Sequence, residues 1–112
     1  ESKRLPIEVA AWGAVGLEPL VYTALRLFHS VEMDLHGLFR ALALNPAKRL
    51  CLPCGRLAIG APADLVLFDA NQPFVLDRAT LKSKSKNTPF DGARLQGRIL
   101  ASFVAGKQVF GQ

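Results

Sequence analysis

Leu44-Asn45-Pro46-Ala47-Lys48-Arg49-Leu50, and then Gly55-Arg56-Leu57-Ala58-Ile59-Gly60-Ala61-Pro62-Ala63-Asp64-Leu65-Val66-Leu67-Phe68-Asp69, carry the change of pattern on which the fold turns. Before this stretch the apolar residues recur at three and four positions, the period of a helix with one buried face. After it they form short runs bounded by turn residues, the pattern of strands. Working back, Asn45 is suited to cap a short third helix, with Pro46 in its first turn and its end near Leu50, where Pro53 and Gly55 stop it. Asp34 is a good N-cap for a second helix that carries Leu35, Leu38, Phe39 and Leu42. A first helix starts near Glu18 and Pro19, with Leu20, Tyr22, Ala24, Leu27 and Phe28 on one broad face and Arg26 in water. Residues 1–17 read as irregular. Working forward, residues 63–69 form a buried strand and Phe74-Val75-Leu76 a second, shorter one. Gly97 to Val104 and Lys107 to Phe110 make a hairpin about Ala105-Gly106. Ser83 to Gly92, with Pro89, is a loop.

The 112 residues suit one modest domain, and an apolar half of the composition argues against disorder. No apolar stretch approaches the ~20 residues of a membrane-spanning helix. With no targeting segment evident, a cytoplasmic location is expected. The net charge of +5 gathers at Lys82, Lys84 and Lys86, with Arg94 and Arg98 beyond. No aromatic platform or recognition helix accompanies that charge, so a solvated loop is preferred over nucleic-acid binding. Cys51 and Cys54 form a Cys-x-x-Cys pair without the second pair a zinc site needs. Two reduced, partly buried thiols are expected there.

Residues 44–50 and 55–69 together resemble the amidohydrolase superfamily. In its members an Asn-Pro-Ala-Lys helix follows the catalytic barrel, and the chain returns to a small β-sandwich through an Ala-Asp-Leu-Val strand. Ser83-Lys84-Ser85-Lys86-Asn87-Thr88-Pro89-Phe90-Asp91-Gly92, followed by Leu95-Gln96-Gly97-Arg98, is similar to the dihydroorotases. Allantoinases tend to a threonine-proline-tyrosine variant there and hydantoinases to an asparagine-proline-tyrosine one. Lys3-Arg4-Leu5-Pro6 and Gly13-Ala14-Val15-Gly16-Leu17-Glu18 resemble the loop after the last barrel strand of class I dihydroorotases. Trp12, Pro19 and Cys51 depart from the pattern, standing where proline, threonine and glycine are usual.

The resemblance implies an α+β chain: the C-terminal helices of a (β/α)8 amidohydrolase barrel, then part of a small β-sandwich subdomain. Residues 1–54 would end the barrel, as a substrate-side loop and about three helices, and residues 55–112 would belong to the sandwich. The parent would be a zinc cyclic amidohydrolase interconverting carbamoyl-aspartate and dihydroorotate in pyrimidine biosynthesis. Relatives hold the metal with a His-x-His pair, a modified lysine, two further histidines and an aspartate. This sequence has no His-x-His, and His29 and His36 stand seven apart on separate helices. No catalytic or metal-ligating residue, and no zinc of its own, is therefore expected in this chain. Asp64 reads as a structural anchor at the start of a strand. The remaining site candidate is the backbone at Gly13 and Ala14, which the resemblance brings to the substrate ring; an ordinary connection into the first helix is the alternative. Two other parents share these motifs: a dihydroorotase-like subunit without metal ligands that supports aspartate transcarbamoylase, and another cyclic amidohydrolase such as allantoinase. Helices made to rest on a barrel would expose apolar faces alone, so either self-association into a homo-oligomer or a chain cut from a longer one is expected.

Overall fold

The computed structural model describes residues 4–10 and 12–111; Lys3, in one of the matched stretches, lies outside them. Helix α1 spans Leu20–His29, α2 Leu35–Phe39 and α3 Asn45–Arg49, with a π-helical turn, Arg40–Leu44, between α2 and α3. Strand β1 spans Leu65–Val75, β2 Arg94–Val104 and β3 Lys107–Gly111, and a 3-10 turn, Arg78–Thr80, follows β1. The strands form one antiparallel sheet in the order β1-β2-β3. The chain is α+β, as expected.

Helix α1 lies on the sheet through a residue absent from the expected face. Leu25 is fully buried, whereas Leu20 and Leu27 are exposed. The apolar positions of α1 run nearly all round it, so periodicity alone does not choose the covered side. The choice is made at Gly97 of β2, where a Cβ would come within 2.7 Å of Leu25 Cδ1 and 3.3 Å of Tyr22 Cδ1. Tyr22 then meets Phe74 of β1 edge-on, ring centroids 4.9 Å apart. Pro19 occupies the N-cap, no side chain caps the helix, and the Glu18 carboxylate is engaged elsewhere.

Residues 63–69 and 74–76 do not make two strands. β1 is continuous through Val75, with a bulge in which Ala70, Asn71 and Gln72 stand opposite the single Gly97. Pro73 cannot donate to a ladder, which suits such an irregularity. The side chain of His29, at the end of α1, closes the bulge by donating from Nε2 to the Ala70 carbonyl at 2.9 Å. The hairpin between β2 and β3 forms as expected. Ala105 and Gly106 both have positive φ, 49° and 78°, the conformation of the tight turn that matches strand twist.

Asp34 caps α2 as expected, its Oδ1 accepting from the Gly37 N–H at 2.7 Å. Asn45 does not cap α3. The chain runs helically through it, and its N–H donates to the Arg40 carbonyl five residues back. Pro46 has no N–H, and its ring would crowd the carbonyl four residues earlier in an α-helix. A π turn just ahead of it rearranges that ladder, so the helix continues where the sequence suggested a restart. The stop falls before Pro53. The Leu52 N–H donates to Ala47 O at 2.8 Å and the Cys51 N–H to Lys48 O at 3.2 Å, the paired bonds of a Schellman end. Cys51 takes the left-handed position there, with φ 54°, a conformation natural to glycine. Beyond it Gly55 passes close to the rod; a Cβ would lie 2.7 Å from the Ala43 carbonyl oxygen.

The molecule is open for its size. Its radius of gyration is 16.2 Å, against about 13 Å for a compact domain of this length. Its accessible surface is 8767 Å², against about 6,000 Å² for a folded monomer of this mass. Among the described residues the buried apolar core is Leu25, Leu38, Ala47, Leu76, Leu95 and Ala101.

Two substitutions test these backbone assignments by thermal or denaturant unfolding. Cys51→Gly relieves the left-handed residue and raises stability by about 1 kcal/mol. Gly97→Ala forces α1 off the sheet and lowers stability by about 2 kcal/mol.

Candidate functional site

The loop holding Gly13 and Ala14 is exposed and follows an irregular N-terminal segment. Gly13 has φ 59°, and a Cβ on it would meet nothing within 4 Å. Glycine is therefore suited to this position by backbone conformation, not by crowding. The loop gets its shape from a partner far along the chain, the Ser-Lys-Ser-Lys-Asn segment. Asn87 donates from Nδ2 to the carbonyls of Gly13 and Trp12, at 3.0 and 3.3 Å. The Asn87 carbonyl accepts the Val15 N–H at 2.7 Å. The Trp12 side chain is 85% exposed, so this residue's contribution to the clasp is its carbonyl.

A second clasp lies at Glu18. Its Oε1 accepts the Lys82 N–H and its Oε2 the Ser83 N–H, each at 2.8 Å. These two amides hold the Glu18 carboxyl below its ordinary value, with smaller help from the charges of Lys86 and Lys82. Lys86 donates from Nζ to the carbonyls of Leu81 and Ala79, folding the basic segment on itself. The lysines thus lie in a loop, as expected, and one of them is a tie within it. The sequence points to both segments separately. That they grip each other depends on contacts spanning more than sixty residues, which no local spacing encodes.

Asp64 and His29 serve the fold. Asp64 is the expected anchor: its Oδ1 accepts the Ala105 N–H at 2.8 Å, and the Gly106 N–H donates to Ala63 O at 3.0 Å. His29 is committed to the Ala70 carbonyl, and His36 is exposed on α2. Both thiols are free, but Cys51 is exposed, not partly buried, because the helix end turns it outward; Cys54 is half-buried. Among the described residues no three His, Cys, Asp or Glu side chains gather where they could hold a metal, so these residues do not fit a zinc centre. No helix among them is long and apolar enough to cross a membrane.

No family model matches the chain. It is 41% identical over 110 residues to a dihydroorotase of Anaplasma phagocytophilum (strain HZ), which covers 98% of this chain and 25% of that protein. A dihydroorotase of Listeria innocua serovar 6a is 40% identical over 115 residues, covering 100% of this chain and 26% of that protein. In structure, L-hydantoinase from Arthrobacter aurescens matches with a TM-score of 0.85 at 28% identity, over 94% of this chain and 24% of the other. A D-hydantoinase matches with a TM-score of 0.86 over 99% of this chain and 25% of its own, at 20% identity, a likeness of fold alone.

The fold is therefore that of a segment shared by hydantoinases of the amidohydrolase superfamily. Within it, the sequence is similar to those of the dihydroorotases, the likeness that the stretch 83–98 implied. The chain spans about a quarter of the length of the curated relatives it matches.

The Glu18 clasp is expected to depend on pH. Because its carboxyl is held low in the folded state, the stabilisation is present above the ordinary carboxylate range and is lost as pH falls through the lowered value. The amide resonances of Lys82 and Ser83 should report this loss in an NMR titration, and Glu18→Gln should remove the transition.

Proposed function

We propose that this chain is the C-terminal quarter of a dihydroorotase, a hydrolase acting on cyclic amides, which interconverts dihydroorotate and carbamoyl-aspartate. The observation that carries the reading is 41% identity to a dihydroorotase along 98% of the chain. The reading divides the chain after residue 54. The helices of the first part would complete and cover the end of a (β/α)8 barrel, and the strands of the second would belong to a small β-sandwich. The exposed apolar residues fit that role. Leu17, Val31, Leu57 and Ile59 are each more than four-fifths exposed, and the surplus of accessible surface is of the size that permanent interfaces bury.

In this reading the metal that activates water is held by residues elsewhere in the full-length protein. This chain contributes the backbone of Gly13 and Ala14 to the substrate ring. Opening a cyclic amide requires the ring to be held still while water reaches its carbonyl carbon. A loop clasped at Asn87 and Glu18 presents backbone polar groups with little left to reorganise.

Replacing the matching quarter of the Anaplasma phagocytophilum relative with this chain tests the proposal. The chimaera should open dihydroorotate, whereas the relative lacking that quarter, and this chain alone, should not. A folded chimaera that opens another cyclic amide but not dihydroorotate would overturn the substrate assignment, and ring opening by this chain alone would overturn the division of labour. In light scattering the isolated chain should self-associate through its uncovered apolar faces; a monodisperse monomer would count against that.

A further inference from the structure

We propose that Asn87 is a positioning residue that sets the direction of the Ala14 N–H, an inference that rests on the reading of the Gly13–Ala14 loop as substrate-facing. The geometry lies in three hydrogen bonds from one residue. The Asn87 side-chain amide donates to Trp12 O and Gly13 O, at 3.3 and 3.0 Å, and its main-chain carbonyl accepts the Val15 N–H at 2.7 Å. The peptide groups on both sides of Ala14 are thereby tied to Asn87. A trans peptide is planar, with its carbonyl and its N–H on opposite edges, and no peptide bond among the described residues is cis. Drawing the Gly13 carbonyl toward Asn87 therefore turns the Ala14 N–H to the other side, away from the basic segment. Ala14 is exposed, and among the described residues no acceptor takes its N–H. It is a donor aimed outward from a braced loop, suited to an oxygen on the ring substrate.

The residue type matters. Two carbonyl oxygens converge on Asn87 Nδ2, so its side chain must donate there. Aspartate has nearly the same shape but presents only acceptors when ionised. It would repel both carbonyls and free the Gly13–Ala14 peptide to rotate, while the main-chain bond to Val15 stays. Asn87 is itself braced, since its neighbour Lys86 ties back to Leu81 and Ala79 and Glu18 holds the start of the same segment.

The test compares Asn87→Asp with Ala14→Pro, which deletes the N–H itself, in the full-length protein that contains this segment. Steady-state kinetics on dihydroorotate are read beside thermal unfolding. For both variants KM should rise about tenfold while kcat changes by less than about twofold, the pattern of lost binding common to ground and transition states. If Ala14→Pro raises KM and Asn87→Asp does not, the positioning role is overturned and the substrate-facing loop stands. If neither raises KM, the loop does not face substrate and both ideas fall. If Asn87→Asp lowers kcat only in step with a fall in the unfolding midpoint, Asn87 is merely structural and the proposal is overturned.

Discussion

The structure depends on the seating of Leu25 over Gly97. Leu25 is fully buried, and the absent side chain of Gly97 is what admits it. Around this contact the sheet yields, with three residues of β1 opposing one of β2. The bulge frees a carbonyl at Ala70, and the last residue of the same helix, His29, satisfies it. A buried or half-buried carbonyl without a donor is costly, so the helix is fixed along its axis as well as on its face. Tyr22 against Phe74 extends the contact.

The glycine loop and the basic segment form a second layer of organisation, built almost wholly from side chain to backbone bonds. Asn87 and Glu18 each engage two or more main-chain groups of the opposite segment. Such bonds shape irregular chain where no ladder exists to do so. They also explain why a lysine-rich stretch need not be a nucleic-acid surface. One of its cations closes the loop internally, and the neighbouring amides are engaged by a carboxylate. The charge of Lys86, at least, supports a shape.

The openness of the molecule and its relationship to the dihydroorotases bear on each other. Six residues make up the buried apolar core among those described, while many large apolar side chains lie in water. Apolar surface on that scale drives association, because each exposed Å² forgoes about 25 cal/mol of burial free energy. The chain spans about a quarter of the length of its curated relatives.

The sequence by itself determined the α+β class, the likeness to the dihydroorotases and the punctuation. Asn45 to Asp69 marks the passage from helices to strands. Asp34 announces α2, and Ala105-Gly106 announces the hairpin. These signals act over a few residues, whereas Asp64 reads as an anchor by resemblance, its partner Ala105 lying 41 residues on. Only the tertiary structure decided which face of α1 is covered, since its apolar residues surround the helix and a glycine more than seventy positions away selects Leu25. It likewise joined two strands into one through a bulge and carried the rod through Pro46 by a π turn. The clasp of Asn87 and Glu18 is the same case. Its partners are backbone groups, which every residue carries, so which of them are engaged depends on where the chain has been brought.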